Sequence, residues 1–96
     1  MLIRERITRI LQEELTPIYL NVEDFSEKHV GHAGYRDGGQ THFSVVVVSS
    51  ALEGKSRVDR HRMIYNLLDS LIAQGIHALK LTTLTPEEAA MRKTFA

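Results

Sequence analysis

Thr41-His42-Phe43-Ser44-Val45-Val46-Val47-Val48-Ser49 is the stretch on which the fold turns. Its β-branched and aromatic residues read as a strand, with Phe43, Val45 and Val47 on one face and Val46 and Val48 making the other partly apolar. Upstream, Ile18-Tyr19-Leu20-Asn21-Val22-Glu23 alternates strictly, as a half-buried strand does. Downstream, Ile76 to Leu84 alternates again, Leu79 and Leu81 against Lys80 and Thr82, which predicts a third strand. Between the second and third strands, Ser56 and Asp59 form a capping-box pattern. Val58, Ile64, Leu67, Leu68, Leu71 and Ile72 then supply the stripe of one long helix that Gly75 stops.

At the near end, Leu2, Ile3, Ile7, Ile10, Leu11 and Leu15 predict a first helix, closed by Thr16-Pro17 because proline pushes the preceding residue out of the right-handed α region. Thr85-Pro86-Glu87-Glu88 starts a last helix from residue 85, with Thr as cap, Pro at the first position and Glu reaching back. The order is α-β-β-α-β-α. The first two strands should form an antiparallel hairpin, and the helical crossover makes the third parallel to the second. The expected fold is therefore α+β, in one domain over residues 1–96, with a three-stranded mixed sheet against helices. Ile18, Leu20, Val22, Phe43, Val45, Val47, Leu79 and Leu81 should meet Ile7, Leu11, Ile64, Leu68 and Leu71 in one core.

Composition excludes several function classes. The chain has 96 residues, twelve basic and twelve acidic, and no cysteine. It can supply no disulfide, thiol nucleophile or thiolate ligand, so metal chemistry must use His or carboxylates or take sulfur from a partner. Zero net charge removes the simplest case for a general nucleic-acid or membrane-surface binder. Met1 to Glu14 shows no signal-peptide pattern, and the longest aliphatic run, Val45 to Val48, is far short of a membrane span. The expectation is a cytoplasmic, non-enzymatic chain, monomeric in isolation and without a membrane partner.

Asp24 to Gln40 carries four of the six glycines and two of the five histidines. A connection this long, where two to five residues would suffice, is either functional or a floppy hairpin tip. Strand two is roughly 30 Å long and the following helix about 27 Å, so the chain returns to its starting end. That places His29 and His32 near His77, with the Lys55–Arg62 cluster at the opposite end. His42 and His61, inside a strand and a helix, suit partly buried structural histidines. At His77, spacing alone leaves a structural residue and a ligand equally open. A zinc site of His29, His32 and His77 would want a nearby carboxylate base for hydrolysis, and none is clearly placed.

Three further motifs resolve against a ligand. Gly54-Lys55-Ser56 lacks the earlier glycine of a phosphate-binding loop, since Ser49 stands there. Gly31-His32-Ala33-Gly34 has the Gly-x-x-Gly spacing of a nucleic-acid clamp, but lies in a hairpin loop and not between helices. Lys55, Arg57, Arg60 and Arg62 make a basic cluster at a helix start, where phosphate is favoured, yet a solvated or structurally paired face is the default in a neutral chain.

From Val22 to Glu88 the chain resembles the BolA family. The resemblance rests on Ser26-x-x-His29, Thr41-His42-Phe43, the aliphatic strand into Ser49, Gly54-Lys55-Ser56, Arg60-His61-Arg62 and above all His77-Ala78-Leu79. It departs from the family pattern at Leu52, where Phe is usual, and at Phe25, where an acidic residue is common. The resemblance implies a class II KH-like fold. It also implies a partnership with a monothiol glutaredoxin, sharing a 2Fe–2S cluster that this chain does not hold alone. The glutaredoxin cysteine and glutathione would supply sulfur. This chain would supply His77 and a loop histidine, as in the His-loop subtype: His29 by its distance from Ser26, or His32 by its distance from His42. Imidazole in place of thiolate should raise the cluster potential and make ligation pH-sensitive. The same resemblance supports a rival, transcriptional regulation through weak DNA binding by Lys55, Arg57, Arg60 and Arg62. A third reading is an interaction module that regulates a glutaredoxin without ligating its cluster.

Overall fold

The computed structural model describes residues 2–25 and 42–92. Along the chain run α1 (Ile3–Leu15), β1 (Tyr19–Asp24), β2 (His42–Val48), a 3-10 turn (Ser50–Leu52), α2 (Arg57–Leu67), α3 (Asp69–Ala73), β3 (Ala78–Leu84) and α4 (Pro86–Arg92). The sheet order is β1-β2-β3, with β1 antiparallel and β3 parallel to β2. The mixed sheet and helical crossover are those expected.

Alternation sets which face is covered. Phe43, Val45 and Val47 are fully buried and pair with Leu79, Leu81 and Thr83 on β3, while Leu20 and Val22 reach the same core from β1. Ile7, Leu11, Ile64, Leu68 and Leu71 close over them from the helices, all fully buried. The other face carries Asn21, Glu23 and Lys80 in the open, with Ser44, Val46 and Thr82 partly buried. At its two ends this second face is closed, by His42 on one side and by Val48 and Leu84 on the other.

Four expectations are corrected. Ile18 precedes β1 and is 71% exposed, because the sheet pairing begins at Tyr19. Val58 is 57% exposed, since it stands in the first turn of α2, short of the core. Leu2 caps α1 from outside the helix and is exposed. The long helix is two: Leu68, at φ −100° and ψ 9°, leaves helical geometry between α2 and α3 while its side chain stays in the core. Boundaries shift as well. Asp24, read as loop, closes β1 against Phe43, and His77 stands immediately before β3.

Other local predictions hold. Thr16 adopts the left-handed conformation, φ 38°, ahead of Pro17. Gly75 ends α3's last turn with φ 129°, a conformation that glycine reaches without steric cost. The Ser56 hydroxyl accepts from the Asp59 N–H at 3.1 Å. At α4 the box is reciprocal: the Thr85 N–H donates to Glu88 at 2.9 Å and the Glu88 N–H to the Thr85 hydroxyl at 3.2 Å. Among the described residues, no helix is long and apolar enough to cross a membrane.

Candidate functional site

Two ends of the sheet carry the chemistry-bearing residues, and the topology separates them. At the end where β2 and β3 both begin, His42 pairs with Ala78, so His77 arrives one residue before the parallel ladder starts. His77 is exposed, while Ile76 beside it is buried and anchors the approach. The His42 and His77 ring centroids lie 5.2 Å apart, tilted by 52°. On its other side His42 meets Phe25 edge-on, with centroids 5.9 Å apart and planes at 66°. The Phe25 N–H donates to the His42 carbonyl at 2.9 Å, carrying the β1–β2 pairing to this end. His42 is 3% exposed. A buried histidine and an exposed one therefore stand side by side.

The chain between β1 and β2 leaves Phe25 and returns to His42 at this same end. His29 and His32 belong to that connection and lie outside the described residues. Among the described residues, no three His, Cys, Asp or Glu side chains gather closely enough to hold a metal ion.

At the far end, the basic residues divide into two kinds. Arg60 is spent on the fold. Its guanidinium donates to Glu88 at 2.6 Å and 3.3 Å, to the Thr83 carbonyl at 3.2 Å and to the Lys55 carbonyl at 2.9 Å. Its side chain is 11% exposed. The Arg60 guanidinium, and next the Thr85 N–H, hold the Glu88 carboxyl at about 2. Lys55, Arg57 and Arg62 are exposed, and Arg62 faces Asp59 at 3.9 Å, a surface pair. Lys55, Arg57 and Arg60 border a shallow cleft of about 340 Å³ shared with Glu88 and Arg92.

The Gly-Lys-Ser motif is structural throughout. Gly54 turns at φ 79°, Lys55 offers its carbonyl to Arg60, and Ser56 caps α2. Two contacts are not legible in the sequence. Glu88 reads there as a cap, and its pairing with Arg60, 28 residues away, needs the fold. The contact of His42 with His77 follows only from the register of β2 on β3.

Comparison with known proteins places this geometry. The family model described as BolA-like protein matches residues 11–88. SufE-like protein 1, chloroplastic/mitochondrial, of Arabidopsis thaliana is 48% identical over 87 residues, 86% of this chain and 24% of that protein. The DNA-binding transcriptional regulator BolA of Escherichia coli is 41% identical over 88 residues, 92% of this chain and 80% of that one. The solved BolA domain of SufE1 from Arabidopsis thaliana superposes with a TM-score of 0.80 at 46% identity, covering 88% of this chain and 93% of that one. The chain thus spans about a quarter of its SufE-like relative. With the family model covering most of its length, it belongs to the BolA-like protein family.

Proposed function

We propose that this chain is a non-enzymatic partner of a monothiol glutaredoxin. It shares a glutathione-ligated 2Fe–2S cluster in the assembly or trafficking of clusters or in iron regulation. The position of His77 carries the reading: an exposed imidazole at the sheet end where the His-bearing connection leaves and returns. The donor set fits a shared group. The sequence has no cysteine, so sulfur must come from the partner, and an exposed imidazole can complete coordination begun elsewhere. His77 is the obligatory donor from this side, and His29 or His32 the second. When bound, the cluster supplies an electron-accepting centre whose potential imidazole ligation raises. Because an imidazole must be unprotonated to ligate, association weakens as the medium becomes acidic.

The test is a titration with cluster-loaded monothiol glutaredoxin and glutathione, followed by visible circular dichroism. The heterocomplex spectrum should vanish with His77→Ala, weaken with His29→Ala or His32→Ala, and vanish when both loop histidines are replaced. A heterocomplex that forms with an unchanged glutaredoxin spectrum would leave a plain interaction module.

One observation favours a second reading, regulation through nucleic acid. Lys55, Arg57 and Arg62 are exposed around the start of α2, and the Escherichia coli relative is named a DNA-binding regulator. Phosphate contacts of this kind position a protein without reading sequence. Tight, sequence-selective binding at physiological salt by the isolated protein would put this reading first.

A further inference from the structure

We propose that His42 orients the His77 imidazole by ring packing, as a positioning residue and not as a ligand. The inference rests on His77 being the exposed donor, and it adds what holds that donor in place. His77 itself is exposed and precedes β3, so neither burial nor the parallel ladder fixes its side chain. Among the described residues, the ring it meets is that of His42, at 5.2 Å between centroids.

His42 is suited to the task because it cannot move easily. Its backbone is held on both sides, by the Phe25 N–H at 2.9 Å and by the register with Ala78. The residue is 3% exposed, and its ring is braced by Phe25 at 5.9 Å. Phe25, His42 and His77 form a row of rings drawn from the end of β1, the start of β2 and the approach to β3. A side chain laid against an immobile ring has fewer rotamers to lose when it binds. The same burial argues against ligation by His42, which offers almost no open surface to a group held by another protein.

The test uses the full chain and two substitutions. His42→Phe keeps a flat ring without nitrogen; His42→Ala removes the ring. In the free protein, side-chain couplings of His77 and nuclear Overhauser contacts between its ring and residue 42 report its orientation. In the glutaredoxin titration, circular dichroism reports affinity. His42→Phe should keep one His77 rotamer and bind as wild type. His42→Ala should average the His77 couplings and weaken association about two- to tenfold, the cost of ordering one side chain. Loss of the heterocomplex spectrum in His42→Phe, with His77 still ordered, would make His42 a ligand and overturn the proposal. Unchanged His77 couplings in His42→Ala would overturn it as well. If His42→Ala does not fold, His42→Phe decides. A His77→Ala variant that retains the wild-type spectrum would remove the cluster reading while the free-protein couplings still judged the packing.

Discussion

Arg60 reaches a helix start, a strand end and a second helix at once through Lys55, Thr83 and Glu88. Glu88 accepts from Arg60 and caps its own helix with the same carboxylate, which also accepts from the Thr85 N–H. Its folded value of about 2, below the ordinary carboxyl value of 4.5, gives the pH dependence a sign. A depressed carboxyl contributes stability that is complete above the unfolded-state value and is lost as pH falls through the folded one. Urea midpoints of the wild type should therefore drop from pH 5 toward pH 2 more steeply than those of Glu88→Gln. Parallel midpoints across that range would show that the pair adds nothing the solvent does not replace. Ser49 gives a second residue-scale prediction. Its buried hydroxyl donates to the Leu15 carbonyl and accepts from the Ala51 N–H, so Ser49→Ala should cost about 1–3 kcal/mol by denaturant unfolding.

At the scale of elements, pattern and punctuation made most of the fold legible. Thr85-Pro86-Glu87-Glu88 announced α4, and alternation in β2 announced both its faces. The break between α2 and α3 was not legible, because the stripe of Ile64, Leu67, Leu68, Leu71 and Ile72 runs through it without Gly or Pro. Nor did composition divide the basic cluster. Arg57 and Arg60 look alike in sequence, but Arg60 faces β3 and α4 while Arg57 stays outside with Lys55. The division predicts different outcomes for the two. Arg57→Gln should lower the slope of log affinity against log salt for nonspecific DNA by up to about 0.9, leaving the unfolding midpoint near wild type. Arg60→Gln should lower the midpoint, because it removes the Glu88 ion pair and the guanidinium donor to the Thr83 carbonyl. Equal effects of the two on both measurements would contradict the division.

Across the whole molecule, the two ends of one sheet lie roughly 20 Å apart, the seven residues of a strand at about 3.3 Å each. His42 and His77 stand where β2 and β3 begin, and exposed arginines where they end. The shared support is the core, with Phe43 its largest fully buried side chain. Phe43→Ala should cost about 3–5 kcal/mol of stability in chemical denaturation. The sequence carried the candidate site through topology: an antiparallel hairpin followed by a parallel crossover must bring the β1–β2 connection to the start of β3. It did not carry the ring contact of His42 with His77, which needs the register.

In the proposed heterocomplex, His77 of this chain donates its imidazole to a cluster whose sulfur comes from elsewhere. Pulsed electron paramagnetic resonance of the reduced heterocomplex, with histidine of this chain labelled by ¹⁵N, reads that bond directly. The wild type should show ¹⁵N hyperfine couplings of a ligating imidazole, with those from this chain lost in His77→Ala. A wild-type spectrum without such couplings, or couplings that survive His77→Ala unchanged, would contradict it.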